Sequence, residues 1–297
     1  GVCPVQFTAS VAMIDPSFYV PIAQAAEQAG FSAIGLPDSI GYPQESDTKY
    51  PSTPAGNREV LENKPFSEPL IAAATMAAVT ERIEFISSVL TRPIRHPVVF
   101  AKEVTSLAVM SGNRFTLGVG TSPWPDDYEL VGLPWAGRGR RFEECIEIIR
   151  GLATGDYFEY KGEFYDFPSV KLNPAPTAPL KIIIGGHAEA HIERAARLAD
   201  GWTPAGLPTD QVAEIVGRIH ARRREIGRDH LPFEVHASNA DSVTPDGIRR
   251  LEDAGVTQTG GGHSKFMPYS LEPDTEPLQD KIDAIRRFGD EVISQLS

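Results

Sequence analysis

Lys181–Asp200 reads KIIIGGHAEAHIERAARLAD, and it changes character twice within eight residues. Ile182–Ile184 is an unbroken β-branched run. A strand with one wet face would alternate with polar residues, whereas a strand buried on both faces does not, and a parallel sheet covered by helices buries both. Gly185 and Gly186 then interrupt the strand, and a helix begins near Ala188. One strand-then-helix unit is written out in this stretch.

Working outward, the same unit recurs. Strands are expected at Val5–Ser10, Ala33–Leu36, Ile83–Leu90, Phe115–Gly120, Lys181–Gly185, Gly201–Pro204, Phe233–Ala237 and Val256–Thr259. Helices are expected between and after them, over 17–29, 69–79, 98–110, 140–152, 210–226, 246–254 and 277–296, besides the one from Ala188. In 140–152, Phe142, Cys145, Ile146, Ile149 and Leu152 fall on one helix face. Gly30 and Gly255 stand where helix-ending glycines stand. Eight strictly alternating units in 297 residues favour a closed (β/α)8 TIM barrel over an open sheet. No shift in composition marks a second domain, so residues 1–297 are expected to form one.

Three irregular stretches stand out. Gly41–Phe66 follows the second strand and Gly260–Glu276 the eighth. In a barrel both belong to the C-terminal face, where active sites are built, and loops this long are commonly functional covers. The third, Gly155–Pro179, precedes the fifth strand. Its Tyr157–Phe167 portion is expected to form a small hairpin, placed by chain order at the opposite face.

Composition excludes several functions. The net charge is −12, a field that repels nucleic acid and anionic membranes but leaves room for a local anion site made of backbone N–H groups. The two cysteines, Cys3 and Cys145, form no zinc or disulfide pattern. No apolar run approaches the ~20 residues that span a bilayer, and GVCPVQFTASVAM lacks the basic start of a secretory signal. A soluble cytoplasmic chain is expected.

Few motifs carry chemistry alone. GVGTSPW (Gly118–Trp124) fails as a dinucleotide fingerprint, because Pro123-Trp124-Pro125 stands where the third glycine and a helix start belong. Its glycines still let a flat ring or another backbone come close. Gly185, Gly186, His187 and Ala188 lead into a helix N-terminus and could cradle phosphate. HAEAH (His187–His191) places two histidines four apart, but the acid of a zinc helix is displaced to Glu189 and no third ligand is evident, so no metal is expected. Asp38 closes the second strand, while His236 and His263 lie on or past strands seven and eight. Each is a candidate acid, base or substrate contact, and an ordinary satisfied polar residue is the alternative for each.

Taken together, Ile86–Gly132 (ISSVLTRPIRHPVVFAKEVTSLAVMSGNRFTLGVGTSPWPDDYELVG) and Lys181–Pro204 closely resemble the bacterial luciferase-like superfamily, and within it the branch using the deazaflavin coenzyme F420. The resemblance implies a TIM barrel with a flavin-type ring across its mouth and the phosphate tail on backbone amides. It implies a non-prolyl cis peptide at Ser88–Val89 against the ring. Asp38, Thr91, Gly120, Thr121, Ser122 and the Gly185–Ala188 turn match other cofactor-contacting positions. Trp124 and His263 would wall the substrate pocket, and Asp38 and His236 are the candidates to handle a proton. The pattern also departs from the sugar-phosphate dehydrogenases of that branch, which carry His where Ser39 stands and Glu where Pro123 stands. The implied activity is hydride transfer between F420 and a small organic substrate. An FMN-dependent monooxygenase and a non-catalytic flavin-binding protein are the alternatives, and such barrels commonly pair as homodimers.

Overall fold

The computed structural model describes residues 5–50, 56–261 and 272–296, apart from the side chain of Arg92. Eight parallel positions form the sheet. They begin with β1 (Gln6–Ser10), β2 (Ala33–Leu36), β3 (Glu84–Ser87) with its continuation β4 (Leu90–Thr91), and β5 (Phe115–Gly120). A hairpin of β6 (Phe158–Lys161) and β7 (Asp166–Val170) intervenes, and β8 (Ile182–Gly185), β9 (Gly201–Thr203), β10 (Glu234–Val235) and β11 (Gln258–Gly260) complete the set. The strand order is β10-β9-β8-β5-β3-β2-β1-β11. His236 bridges Gln258 across the remaining gap, and Ala237 N–H donates to the Gln258 carbonyl at 3.0 Å. The ring is thereby closed into the expected barrel.

The outer layer is helical: α1 (Tyr19–Gln28), α2 (Pro69–Ala77), α3 (Pro97–Met110), α4 (Pro125–Leu130), α5 (Arg138–Ala153), α6 (Glu189–Leu198), α7 (Thr209–Glu225), α8 (Pro245–Asp253) and α9 (Leu278–Glu291). None of the described helices is long and apolar enough to cross a membrane.

Strand register sorts the residues into two faces, because residues opposite each other in a parallel pair point the same way. Ala9, Ile34, Phe85 and Phe115 pair across one row, and Val119, Ile184, Trp202 and Val235 across another. All belong to the main apolar core beneath the helices. The opposite set contains Gly35, Ile86 and Thr116 in one row and Gly118, Ile183, Gly201 and Glu234 in another. This second face lines the lumen, and it is polar or small at many positions.

Three boundaries differ from expectation, each for a local reason. The third strand breaks at Ser88-Val89, where the peptide is cis. Pro125 opens α4 immediately after Trp124, since proline suits the first helical position, whose N–H needs no partner. The hairpin forms as expected but does not stay at the far face. The Glu144 carboxylate of α5 accepts from the N–H groups of Glu163, Phe164 and Tyr165. Phe164 lies 4.4 Å from the guanidinium of Arg141, and Tyr165 stands edge-on to His96, the N-cap of α3, at 5.6 Å. The hairpin therefore climbs α5, about 24 Å for its 16 residues, and its tip ends beside helix N-termini, the mouth side of the barrel.

Candidate active site

At the mouth the chain after β3 folds inward. A Cβ added to Gly118 would overlap the Ser87 carbonyl oxygen, and Cβ atoms at Gly120 and Gly185 would each lie 3.0 Å from a Val89 methyl. All three glycines are on the lumen face, so Val89 enters the lumen from above and they leave it room. The sequence placed Gly120 and Gly185 against a cofactor; the structure places both against Val89.

Asp38 lies two residues past β2, its side chain 2% exposed. Arg95 grips it in two-pronged fashion, Nη2 to Oδ1 at 2.6 Å and Nη1 to Oδ2 at 2.8 Å. The pair also holds Thr91 by both backbone groups: its N–H donates to Asp38 Oδ2 at 2.9 Å, and its carbonyl accepts from Arg95 Nη1 at 3.0 Å. Asp38 thus anchors the strand just past the bulge, and as a proton carrier it would have to leave Arg95. Sequence gave no signal for Arg95, because the pairing spans 57 residues.

His236 points away from the mouth. Its Nε2 lies 2.8 Å from Glu234 Oε2, one turn of pleat toward the strand's start. Glu234 also pairs with Lys181 Nζ at 2.6 Å. Burial would raise the Glu234 carboxyl, yet the bonds from His236 and Lys181 prevail and hold it at about 2. His236 therefore belongs to an ionic floor inside the barrel. His263 lies outside the described residues.

Past β5, Ser122 adopts φ +61°. Its hydroxyl donates to Asp127 Oδ2 at 2.5 Å and accepts from Trp124 N–H at 2.9 Å. Asp127, not singled out by sequence, is buried, and burial pushes its carboxyl upward against the opposing Ser122 bond. Trp124 is buried with Met13, Val60 and Leu61, and Tyr42, Tyr50 and Phe66 pack against them. The segment expected to cover the mouth thus supplies much of this cluster. Lys64 Nζ ties it to the Glu272 carbonyl at 2.8 Å, joining the two long loops.

The turn expected to cradle phosphate lies at the end of β8. Gly186 has φ +111°, and a Cβ there would lie 3.0 Å from the His191 ring, so only glycine fits comfortably. Its N–H donates to the Thr203 carbonyl and its carbonyl accepts from Trp202 Nε1. That amide is committed to the fold, a correction to the expected cradle. His187 and Ala188 are exposed, and the first turn of α6 offers amides that no intrahelical carbonyl can reach. His191 Nε2 lies 3.0 Å from Thr121 Oγ1, while its Nδ1 is buried without a partner. Burial first, then Arg194, Arg138 and His187, push its pKa down. Arg194 is itself paired with Glu143 at 2.9 Å, so its charge is already offset. Arg138 is held 3.6 Å from the Trp135 ring, Trp135 stands edge-on to Tyr128, and the Tyr128 hydroxyl donates to the Thr121 carbonyl. Sequence weighed His191 only as a metal ligand. Among the described residues no cluster of three His, Cys, Asp or Glu converges as a metal site.

Known proteins share this plan. The chain is 52% identical to an uncharacterized protein of Mycobacterium tuberculosis, over 98% of this chain and 100% of that one. It is 32% identical to an F420-dependent glucose-6-phosphate dehydrogenase of Nakamurella multipartita, over 67% of this chain and 56% of that one. The fold matches that of a monooxygenase from Streptomyces bottropensis, with TM-score 0.77, 17% identity and coverage of 99% and 100%. It also matches the coenzyme F420-dependent tetrahydromethanopterin reductase of Methanopyrus kandleri, with TM-score 0.75, 16% identity and the same coverage. The family model for luciferase-like monooxygenases matches residues 2–269, and the chain belongs to that family.

Proposed function

We propose that the chain is an oxidoreductase using coenzyme F420 to exchange a hydride with a small organic substrate. The observation carrying this reading is the arrangement of the mouth. Val89 packs against Gly120 and Gly185 at the ends of β5 and β8; β8 leads into the first turn of α6, and β5 leads into Trp124 of the aromatic cluster. An elongated ring with an anionic tail matches that sequence of surfaces. The similarity to the F420-dependent dehydrogenase supports the choice of deazaflavin.

A bound deazaflavin supplies two-electron hydride chemistry. The chain's own residues supply position and exclusion. Val89 presents an apolar surface at the floor, and the Asp38–Arg95 pair fixes the strand that follows it. The first turn of α6, with Arg138 and His187 nearby, holds the anionic end. The aromatic cover keeps water from the reacting atoms. The substrate class of the sugar-phosphate dehydrogenases does not transfer, because Ser39 and Pro123 replace their His and Glu.

Fluorescence titration of the purified chain with F420 and, separately, with FMN tests the reading. F420 is expected to bind at least tenfold more tightly, and to lose absorbance when a substrate is found. Tighter FMN binding would instead favour a reduced-flavin monooxygenase.

A further inference from the structure

The cluster around Trp124 is separate from the main core. Met13 follows β1, Trp124 follows β5, and Tyr42, Tyr50, Val60, Leu61 and Phe66 lie between β2 and α2. It therefore covers strand ends instead of filling the space between sheet and helices. Trp124 is 7% exposed, and its Nε1–H is buried without an acceptor. Folded proteins seldom leave a buried donor unpaired without a use for it. The other deeply buried indole, that of Trp202, does find an acceptor, the Gly186 carbonyl at 2.7 Å.

Asp126, two residues past Trp124, has a carboxylate oxygen buried without a partner, while Arg95, Arg58 and Asp127 are already engaged. Arg95 and Asp38 hold each other. The Arg58 guanidinium donates to the Pro43 and Gln44 carbonyls and lies 4.7 Å from the Tyr42 ring. Asp127 accepts from Ser122. What the cluster offers a ligand is aliphatic and aromatic surface with one unfilled donor.

We propose that Trp124 Nε1–H donates to an acceptor oxygen of an otherwise apolar, uncharged molecule lodged among Met13, Val60, Leu61 and Tyr50. Calling that molecule the substrate rests on the oxidoreductase reading; the binding chemistry rests on the cluster itself. Anionic sugars and carboxylates are poor fits, because the guanidiniums of Arg58 and Arg95 are committed to the Pro43 and Gln44 carbonyls and to Asp38.

Three probes of similar size separate the possibilities: acetophenone, α-methylstyrene, which replaces the carbonyl oxygen by a methylene, and benzoate. Their binding is measured by calorimetry on the full chain, both free and saturated with whichever of F420 or FMN it binds. The wild type is expected to bind acetophenone roughly tenfold more tightly than α-methylstyrene, the worth of one hydrogen bond to a buried donor, and benzoate most weakly. Trp124→Phe should bind the two neutral probes equally, with its fold checked by circular dichroism. Equal binding of the neutral probes by the wild type, no binding of acetophenone in either state, or preference for benzoate would each overturn the proposal. These outcomes need no variant, so a misfolded Trp124→Phe leaves it falsifiable. An unchanged preference in a folded Trp124→Phe would also overturn it. The cofactor titration is independent: failure here with F420 bound leaves the cofactor reading intact.

Discussion

Asp38 and Arg95 together hold the strand that follows the bulge. Both oxygens of a nearly buried carboxylate are used, and Thr91 is held by its N–H and its carbonyl together. Removing one partner leaves the other charge unpaired in a poorly solvated place, which typically costs 3–5 kcal/mol. Arg95→Met is therefore expected to lower the thermal midpoint and weaken cofactor binding together, read by calorimetry and fluorescence. A variant with lost activity but unchanged cofactor affinity would assign Arg95 to the substrate instead. The ionic floor makes a second prediction. The Glu234 carboxyl lies at about 2, below its ordinary 4.5. The unfolded chain thus binds more protons between these values, and the stabilisation is present above the unfolded pKa and lost as pH falls toward 2. Up to about 3 kcal/mol is at stake. Denaturant midpoints of Glu234→Gln should respond less to acid below about pH 5 than those of the wild type.

At the scale of elements, the lumen glycines and the bulge are one device. Gly118 admits the Ser87 carbonyl, while Gly120 and Gly185 admit Val89. Gly118→Ala has nowhere to put its methyl, because a backbone atom occupies the site; insoluble or strongly destabilised protein is expected on expression. Gly217 on α7 meets nothing within 4 Å, and Gly217→Ala should be neutral or slightly stabilising by helix propensity. The contrast between the two, measured as thermal midpoints, tests the placement of the bulge. Much of this level was legible in sequence. Ile182–Ile184 reads as a doubly buried strand, and Gly30 marks a helix end, whereas the helix that opens at Pro125 was not expected. The hairpin's true position was not legible, because chain order fixes where a loop starts and returns, not which helix it climbs. Glu144 decides that, by accepting three hairpin amides. His191 was visible in a motif but was given no role, since its surroundings depend on φ at Gly186 and on Thr121, seventy residues away.

For the whole molecule, charge is distributed against its average. The net charge of −12 repels anions at long range, whereas Arg138 and the helix N-terminus of α6 offer positive potential locally. Raising ionic strength from about 0.01 M to about 1 M shortens the screening length from ~30 Å to ~3 Å. F420 affinity is expected to change with salt across that range, while neutral probes at Trp124 are unaffected, as calorimetry can read. The barrel itself follows from sequence periodicity, but the two surfaces that flank its mouth arise only when residues from separate segments of the chain meet. The central claim is that the mouth seats an elongated ring between those surfaces. A crystal structure of the chain with coenzyme F420 tests it most directly. The ring is expected against Val89 with its phosphate within hydrogen-bond distance of the first-turn amides of α6. A coenzyme bound elsewhere, or one whose phosphate points away from α6, would contradict the account.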